Sequence, residues 1–293
     1  MNKVLQDLIS LLDLETLEQN LFRGQSRNLG GKSVFGGQVL GQALVAASRT
    51  VDNAMPHSLH GYFLRGGDME TPIVYEVDRV RDGRHFSARR VQGIQFGRPI
   101  FTMIASFQPV EDGLEHQIGM PEVPPPETLS DQYQLRTQWL GHNRDQVSER
   151  LMEVLLRPLA IEFKPVNPWD PLTPEAREPQ QSIWFRAAGK LPDDPLLHRC
   201  ILAYASDFNL LSTALLPHAH SFLQPEMAVA SIDHAFWFHR DVRIDDWLLY
   251  VMDSPTAQSA RGLSRGLIFA RDGKLVGSVV QESLMRLHSG PPA

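Results

Sequence analysis

The segment 196–216 reads LLHRCILAYASDFNLLSTALL, and it decides the fold class. Its apolar residues fall on nearly every side of a helical wheel, which is typical of a helix that is buried all round. Runs of strand-like sequence follow over 229–240, 247–253, 260–270 and 275–287. The pattern predicts one long central helix covered by an antiparallel sheet.

The first half of the chain repeats this order. The segment 36–51 reads GGQVLGQALVAASRTV, with apolar residues at helical spacing. Strand-like runs follow it over 58–65, 72–80, 85–95 and 99–108. Short matches, such as Ser87-Ala88-Arg89 with Ser259-Ala260-Arg261, support a repeat, and runs at 159–166 and 182–188 are candidates for the opening strands of the second unit. We therefore predict an α+β protein with a double hot-dog fold: two tandem units, each an antiparallel sheet wrapped around a long central helix.

Proline marks the connection between the two units. Eleven of the 21 prolines lie between Pro109 and Pro179, where their spacing excludes a long uninterrupted helix or a central strand. A helix over 131–156 is expected to interrupt this stretch. The predicted organisation is an N-terminal hot-dog unit over 1–110, a Pro-rich and helical connector over 111–156, and a C-terminal hot-dog unit over 157–293.

Composition excludes several classes of protein. The 293 residues include 28 Lys and Arg against 34 Asp and Glu, and the resulting net charge of −6 argues against a broad basic surface for nucleic acid. The one cysteine, Cys200, excludes an internal disulfide framework. No secretory signal pattern is found, and no apolar run approaches the ~18 residues of a membrane span. The histidines lack the His-Glu-x-x-His spacing of a zinc site, so no metal is expected. Walker A and Gly-x-Gly-x-x-Gly motifs are also missing, and no cofactor is expected. The missing targeting signals predict a cytoplasmic protein.

Asp207 is the residue that fits the central helix least. On a wheel of that helix its neighbours are apolar or weakly polar: Cys200, Ala203, Tyr204, Leu210, Leu211 and Ala214. A buried carboxylate costs several kcal/mol unless it is hydrogen-bonded or protonated. Asp207 is therefore either held by a local network or functional.

Two further polar residues lie on strands. Gln281 shares the mostly apolar face of the strand 275–287, where it is either a satisfied core amide or part of a site. Ser231 opens the strand 229–240, and Asp233, which has the same parity, is a rival acid there. The pattern alone does not single out Ser231.

Other candidates are interpreted as structural. Cys200 lies about 10 Å along the helix from Asp207 and has no basic neighbour on its face to generate a thiolate. Four arginines could meet an anionic ligand but are read as solvated strand residues: Arg89, Arg90, Arg261 and Arg265.

The chain resembles the acyl-CoA thioesterase II family of the TesB type, which has a double hot-dog fold. The resemblance covers residues 20–287 and is carried by the stretches LFRGQS (21–26), VFGGQVLGQAL (34–44), HSLHGYFLRGGD (57–68), RDGRHFSARR (81–90), YASDFNL (204–210), SIDHAFWFHR (231–240) and VQESLMR (280–286). The family uses an Asp, a Ser or Thr, and a Gln to hold and activate water. By motif position, the resemblance assigns these roles to Asp207, Ser231 and Gln281. Ser231 stands where the best-known bacterial members have Thr.

The resemblance implies hydrolysis of fatty acyl-CoA to free fatty acid and CoA, with the acyl chain in an apolar tunnel beside the helix and backbone N–H groups facing the oxyanion. It also implies a homo-oligomer, either a dimer or a tetramer of double hot-dogs. One alternative is a hot-dog hydratase or dehydratase, which commonly pairs His with Asp or Glu; the absence of a His beside Asp207 on the central helix argues against it. The other alternative is a non-catalytic acyl-CoA-binding protein.

Overall fold

The computed structural model describes residues 2–144 and 147–288. The helices are Lys3–Leu12 (α1), Gly36–Ser48 (α2), Gln132–His142 (α3), Glu149–Leu156 (α4), Pro195–Ser206 (α5) and Leu210–Leu215 (α6). The strands are Glu15–Glu18 (β1), Leu21–Gly24 (β2), Met55–Phe63 (β3), Ile73–Asp82 (β4), Ser87–Gln95 (β5), Arg98–Gln108 (β6), Ile161–Pro165 (β7), Gln180–Ala187 (β8), Met227–Ser231 (β9), Asp233–Phe238 (β10), Leu248–Gln258 (β11), Arg261–Ala270 (β12) and Leu275–Leu287 (β13). Short 3₁₀ turns lie at Pro126–Thr128 and Leu216–His218.

All strands belong to one antiparallel sheet whose order shows the predicted repeat. Counted inward from its two ends, the sheet runs β1-β2-β4-β5-β6-β3 in one half and β7-β8-β11-β12-β13-β10 in the other. The halves meet where β3 pairs with β10, with Leu59 opposite Phe236. β9 lies off this path and pairs with β13.

The two central helices α2 and α5 pack antiparallel against each other in the core. A Cβ atom built on Gly37 would lie 2.3 Å from the Tyr204 carbonyl oxygen, and one on Gly41 would lie 3.2 Å from the Cys200 carbonyl oxygen. Glycine at these positions therefore lets the two backbones touch. As a consequence, the first turn of α2 meets the last turn of α5.

The predicted helix over 196–216 is wrong in one respect, because it is broken just after Asp207. α5 ends at Ser206 and α6 begins at Leu210, with Asn209 in the left-handed region at φ 70°. A residue with positive φ cannot continue a right-handed helix. The Gln181 side chain supports the break by donating to the Asn209 carbonyl oxygen at 2.9 Å.

Two other predicted elements are also divided. The expected strand 229–240 is interrupted at Ile232, where β9 ends and β10 begins the junction with β3. The expected helix 131–156 consists of α3 and α4, separated by a stretch of which residues 145–146 lie outside the described part of the chain. β1 and β2 were not predicted from the sequence, since the four residues of β1 are all exposed and show no alternation.

The connector runs over the outer side of the second unit. The Pro124 carbonyl oxygen accepts from Trp184 Nε1 at 2.9 Å, and Glu127 forms an ion pair with Arg271 at 2.6 Å. Three connector residues pack on a separate apolar cluster on this side of the sheet; they are Met120, Val123 and Leu129. The connector therefore shields sheet residues that do not face α5.

The segment 195–218 is long and apolar enough, by length and hydropathy alone, to cross a membrane. However, 78% of its most apolar window is buried inside the protein. This burial is what the central helix of a folded core shows.

Candidate active site

Asp207, Ser231 and Gln281 come together from three different elements. Asp207 follows the last residue of α5, Ser231 ends β9, and Gln281 lies in the middle of β13. Ser231 Oγ–H donates to Asp207 Oδ1 at 3.1 Å, and Gln281 Nε2–H donates to Ser231 Oγ at 3.1 Å. The structure therefore joins the carboxylate, the hydroxyl and the amide in one hydrogen-bonded chain.

The first unit completes the surroundings of the carboxylate. The backbone N–H of Gly37, in the first turn of α2, donates to Asp207 Oδ2 at 2.8 Å. The amino-terminal end of a helix carries partial positive charge, so it stabilises a carboxylate placed there. The site therefore depends on both units, although its three side chains all come from the second.

Asp207 is held in a medium that disfavours its charge. Only 8% of the residue is exposed. Burial raises the pKa of the Asp207 carboxyl above its ordinary value, while its interaction with His234 and its hydrogen bonds from Ser231 and Gly37 act in the opposite direction. A carboxylate with a raised pKa is a stronger proton acceptor than an exposed aspartate.

His234 belongs to the same network and was missed by the sequence analysis. Its ring is fully buried, with Nδ1 2.7 Å from Gln281 Oε1 and Nε2 2.9 Å from Ser206 Oγ. A signal was available, because His234 shares the inward face of β10 with Phe236 and Phe238. The same reasoning that selected Gln281 on β13 would have selected this histidine.

The rival acid Asp233 serves the backbone instead. Its Oδ1 accepts the Glu282 N–H at 2.7 Å. As the strand neighbour of His234, Asp233 points to the other face of β10. It is thus part of the sheet's hydrogen bonding and is not joined to Asp207.

The remaining candidates divide into buried and exposed groups. Cys200 is buried as expected, and burial raises the pKa of its thiol, so it is not a nucleophile. Arg90, Arg261 and Arg265 form ion pairs at the surface with neighbouring acids. The prediction that Arg89 is solvated is wrong. Its side chain is 1% exposed and donates to Thr50 and Asp82. Its guanidinium is a buried structural group.

Comparison with known proteins follows the same division into two units. Residues 25–108 match the family described as acyl-CoA thioesterase N-terminal domain, and residues 168–284 match the family described as acyl-CoA thioesterase. Acyl-CoA thioesterase 2 of Haemophilus influenzae is 40% identical over 98% of this chain and 99% of its own length. The chain belongs to the acyl-CoA thioesterase family. The expected family and the expected acyl-CoA thioester hydrolysis are confirmed by this relationship.

Other relatives of this thioesterase agree. Human acyl-coenzyme A thioesterase 8 is 42% identical over 95% of this chain and 88% of its own length. The crystal structure of the acyl-CoA thioesterase II TesB2 from Mycobacterium marinum superposes with a TM-score of 0.78 at 43% identity, covering 97% of this chain and 99% of that one. A protein with a hot dog fold from Alicyclobacillus acidocaldarius has a TM-score of 0.77 at 17% identity, which shows the fold alone. The predicted double hot-dog fold is confirmed.

The repeat relates the site of this thioesterase to an equivalent position in its first unit. The start of α2 corresponds to that of α5, and the pair of Leu59 with Phe236 fixes the correspondence of the strands. Counted from these points, Ser48 stands in place of Asp207 and Ala54 in place of Ser231. Leu59 pairs with Ala105 as Phe236 pairs with Val279, so Phe107 in β6 stands in place of Gln281. These three residues of the first unit include no carboxylate and no amide.

Gly36→Ala is expected to lower kcat/KM of the thioesterase by about tenfold or more, because small displacements in an active site can cost up to about 10²-fold. A Cβ atom at Gly36 would lie 2.7 Å from Asp207 Oδ2 and 2.9 Å from the Phe63 ring, so the carboxylate must shift. Gly141→Ala in α3 is the matched control, since a Cβ there meets nothing within 4 Å. Steady-state kinetics with an acyl-CoA would contradict this reading if Gly36→Ala kept the parental kcat/KM.

Proposed function

We propose that Asp207 acts as the general base in the hydrolysis of acyl-CoA, with Ser231 and Gln281 holding the attacking water. The observation that carries this proposal is the buried carboxylate, whose neighbours are a hydroxyl that donates to it and an amide that donates to that hydroxyl. Such a group is basic, oriented and shielded from bulk solvent. These are the properties that a general base requires.

The carboxylate can accept a proton from water while its present contacts stay in place. Two ionised oxygens offer about four lone-pair sites, and Gly37 and Ser231 occupy two of them. The two N–H groups of the Gln281 amide point to Ser231 Oγ and Ser283 Oγ, each at 3.1 Å, which is at the long end of the range for a hydrogen bond, so one of them can be shared with a water. The water would thus lie between Asp207 and the amide.

The chemistry of the thioester suits this arrangement. The water oxygen bonds to the acyl carbon while one water proton passes to Asp207, and the carbon–sulfur bond then breaks. A thiol of pKa ~8.5 is a good leaving group, so the thiolate of CoA departs without a strong acid to protonate it. The developing oxyanion needs hydrogen-bond donors. The Gly37 N–H at this place is already bonded to Asp207, so we assign it to the carboxylate and not to the oxyanion.

A cavity beside the last part of β13 offers space for an acyl chain. It has a volume of about 400 Å³, and its lining includes the apolar Leu215, Met227 and Met285 together with polar residues such as Gln258 and Arg261. The three site residues do not line it. Met285 lies on the same face of β13 as Gln281, four residues further along and therefore about 13 Å away. We propose this cavity as the place of the acyl tail.

His234 does not favour the hydratase alternative. A catalytic histidine must reach the substrate, but this ring is fully buried and both of its nitrogens have protein partners. It contacts the Gln281 amide and the Ser206 hydroxyl. The non-catalytic alternative predicts binding of acyl-CoA without release of CoA.

A free-thiol assay separates these possibilities. Medium-chain acyl-CoA should release stoichiometric CoA, and an enoyl-CoA should gain no water across its double bond. Ligand binding without thiol release, or hydration of the enoyl-CoA at a higher rate than hydrolysis, would contradict the proposal. A cytoplasmic location and assembly to a dimer or tetramer remain predictions.

A further inference from the structure

We propose that His234 is a positioning residue that fixes the orientation of the Gln281 amide, so that its nitrogen faces Ser231 and the attacking water. The inference rests on the proposed function of Asp207, Ser231 and Gln281. It concerns a buried, titratable side chain that the hydrolysis described above does not use directly.

The orientation of the amide depends on the direction of each hydrogen bond. An ionised Asp207 can only accept, so Ser231 must donate its proton to the carboxylate at 3.1 Å. The lone pairs of Ser231 Oγ are then free for the N–H of Gln281. This places the Gln281 oxygen on the opposite side, toward His234 Nδ1 at 2.7 Å.

The tautomer of His234 follows from the same rule. A carbonyl oxygen cannot donate, so Nδ1 must carry the proton in its contact with Gln281 Oε1. Burial lowers the pKa of His234, which keeps the ring neutral near pH 7 and leaves Nε2 without a proton. Nε2 lies 2.9 Å from Ser206 Oγ. The Ser206 hydroxyl also donates to the Ala203 carbonyl oxygen at 2.9 Å, so its one proton is shared between these two acceptors.

The three bonds between His234 and Asp207 consequently point in one direction. His234 donates to Gln281, Gln281 to Ser231, and Ser231 to Asp207. If the amide were turned over, Gln281 would present its oxygen to Ser231, and the hydroxyl proton would be drawn away from the carboxylate. Hydrogen bonds in such chains polarise one another and favour the charged acceptor at the end.

Within residues 2–144 and 147–288, His234 is the side chain recorded at the Gln281 amide oxygen. Gln281 and His234 are both fully buried. The other contact of the amide, Ser283 Oγ at 3.1 Å from Nε2, is a hydroxyl that can either donate or accept, so it does not discriminate between the two orientations. Ser231 selects the amide nitrogen on one side, and the His234 proton is the donor that the structure places at the amide oxygen on the other.

The test compares His234→Leu with His234→Asn by kcat, KM and thermal unfolding. His234→Leu removes the donor, and we expect kcat to fall about 10- to 100-fold, as for other residues that orient a functional group, with KM within about twofold. His234→Asn keeps an N–H near the position of Nδ1 and should restore most of kcat. His198→Leu is the matched control, because His198 in α5 is also buried and accepts the Ile244 N–H, away from Gln281; it should lower stability without lowering kcat.

A double-mutant cycle separates action through the amide from general damage. On a Gln281→Ala background, His234→Leu should change kcat by less than about twofold, because the group that it orients is already missing. The inference is overturned if His234→Leu keeps the parental kcat, or if it lowers kcat equally with and without Gln281. Absence of thiol release by the parent protein would instead reject the proposed function.

Discussion

Replacing Asp207 by asparagine is expected to lower kcat/KM for acyl-CoA by about 10³-fold, within the 10²–10⁴ that a positioned general base contributes. The amide oxygen of asparagine can still accept from the Gly37 N–H, and its NH₂ group can donate to Ser231 Oγ, so the local contacts survive. What is lost is the ability to take a proton from water. Steady-state kinetics by thiol release measures the effect.

Asp233→Asn is the matched control for this substitution. Asp233 is the rival acid, and an asparagine oxygen there can still accept the Glu282 N–H. The control should keep kcat/KM within about threefold of the parent, as is usual for a change outside the site. If Asp207→Asn hydrolysed acyl-CoA at the parental rate, the role given to Asp207 would be wrong.

Asp207→Asn is also expected to raise the melting temperature at neutral pH. Burial raises the folded-state pKa of Asp207 above its unfolded value of ~3.9, so the folded protein binds this proton more tightly than the unfolded chain. Stability from this group is therefore present at acid pH and falls as pH rises through the raised pKa. Asparagine does not titrate. The difference in melting temperature between variant and parent should thus grow from acid to neutral pH. A difference that stays constant with pH would contradict the raised pKa of Asp207.

Gln281→Leu is expected to lower kcat by about 10²-fold, comparable to the loss of one preorganised donor in other active sites. Leucine has a similar volume but cannot donate to Ser231 or to the water, and it leaves His234 without its acceptor. KM should change much less than kcat, because the lost contact is made to the attacking water.

Ser283→Ala provides the control for the Gln281 prediction. It removes the second partner of the amide, at 3.1 Å, without touching Ser231 or Asp207. Its kcat should stay within about threefold of the parent. Equal losses in Ser283→Ala and Gln281→Leu would show that the network matters only for packing.

Much of the fold could be predicted from local patterns. The strands β4, β5, β6, β11, β12 and β13 follow period-two alternation or turn glycines, and both central helices follow their apolar spacing. The break after Asp207 could not be predicted, because it depends on the left-handed Asn209 and on Gln181, which reaches it from a distant strand. β1 escaped prediction because its four residues carry no buried face.

A site residue could be predicted only where it stood out as polar on the apolar face of its own helix or strand. Asp207 was selected by its apolar helix face and Gln281 by its apolar strand face, whereas Ser231 required the family resemblance. The Gly37 N–H lies 170 residues from Asp207 along the chain, and no local pattern reveals such a contact. Arg89 was misjudged because its strand position looks exposed, although the pairing of β4 with β5 and the end of α2 enclose it.

The central claim is that Asp207 activates water and does not itself attack the thioester. Both of its oxygens are already held, one by the Gly37 N–H and one by Ser231 Oγ–H, which disfavours a nucleophilic role. The most direct test is a single turnover of acyl-CoA in H₂¹⁸O with enzyme in excess, followed by mass spectrometry of the fatty acid and of the peptide that contains Asp207. The account predicts ¹⁸O in the released fatty acid and none in the peptide; ¹⁸O in the Asp207 carboxylate would contradict it.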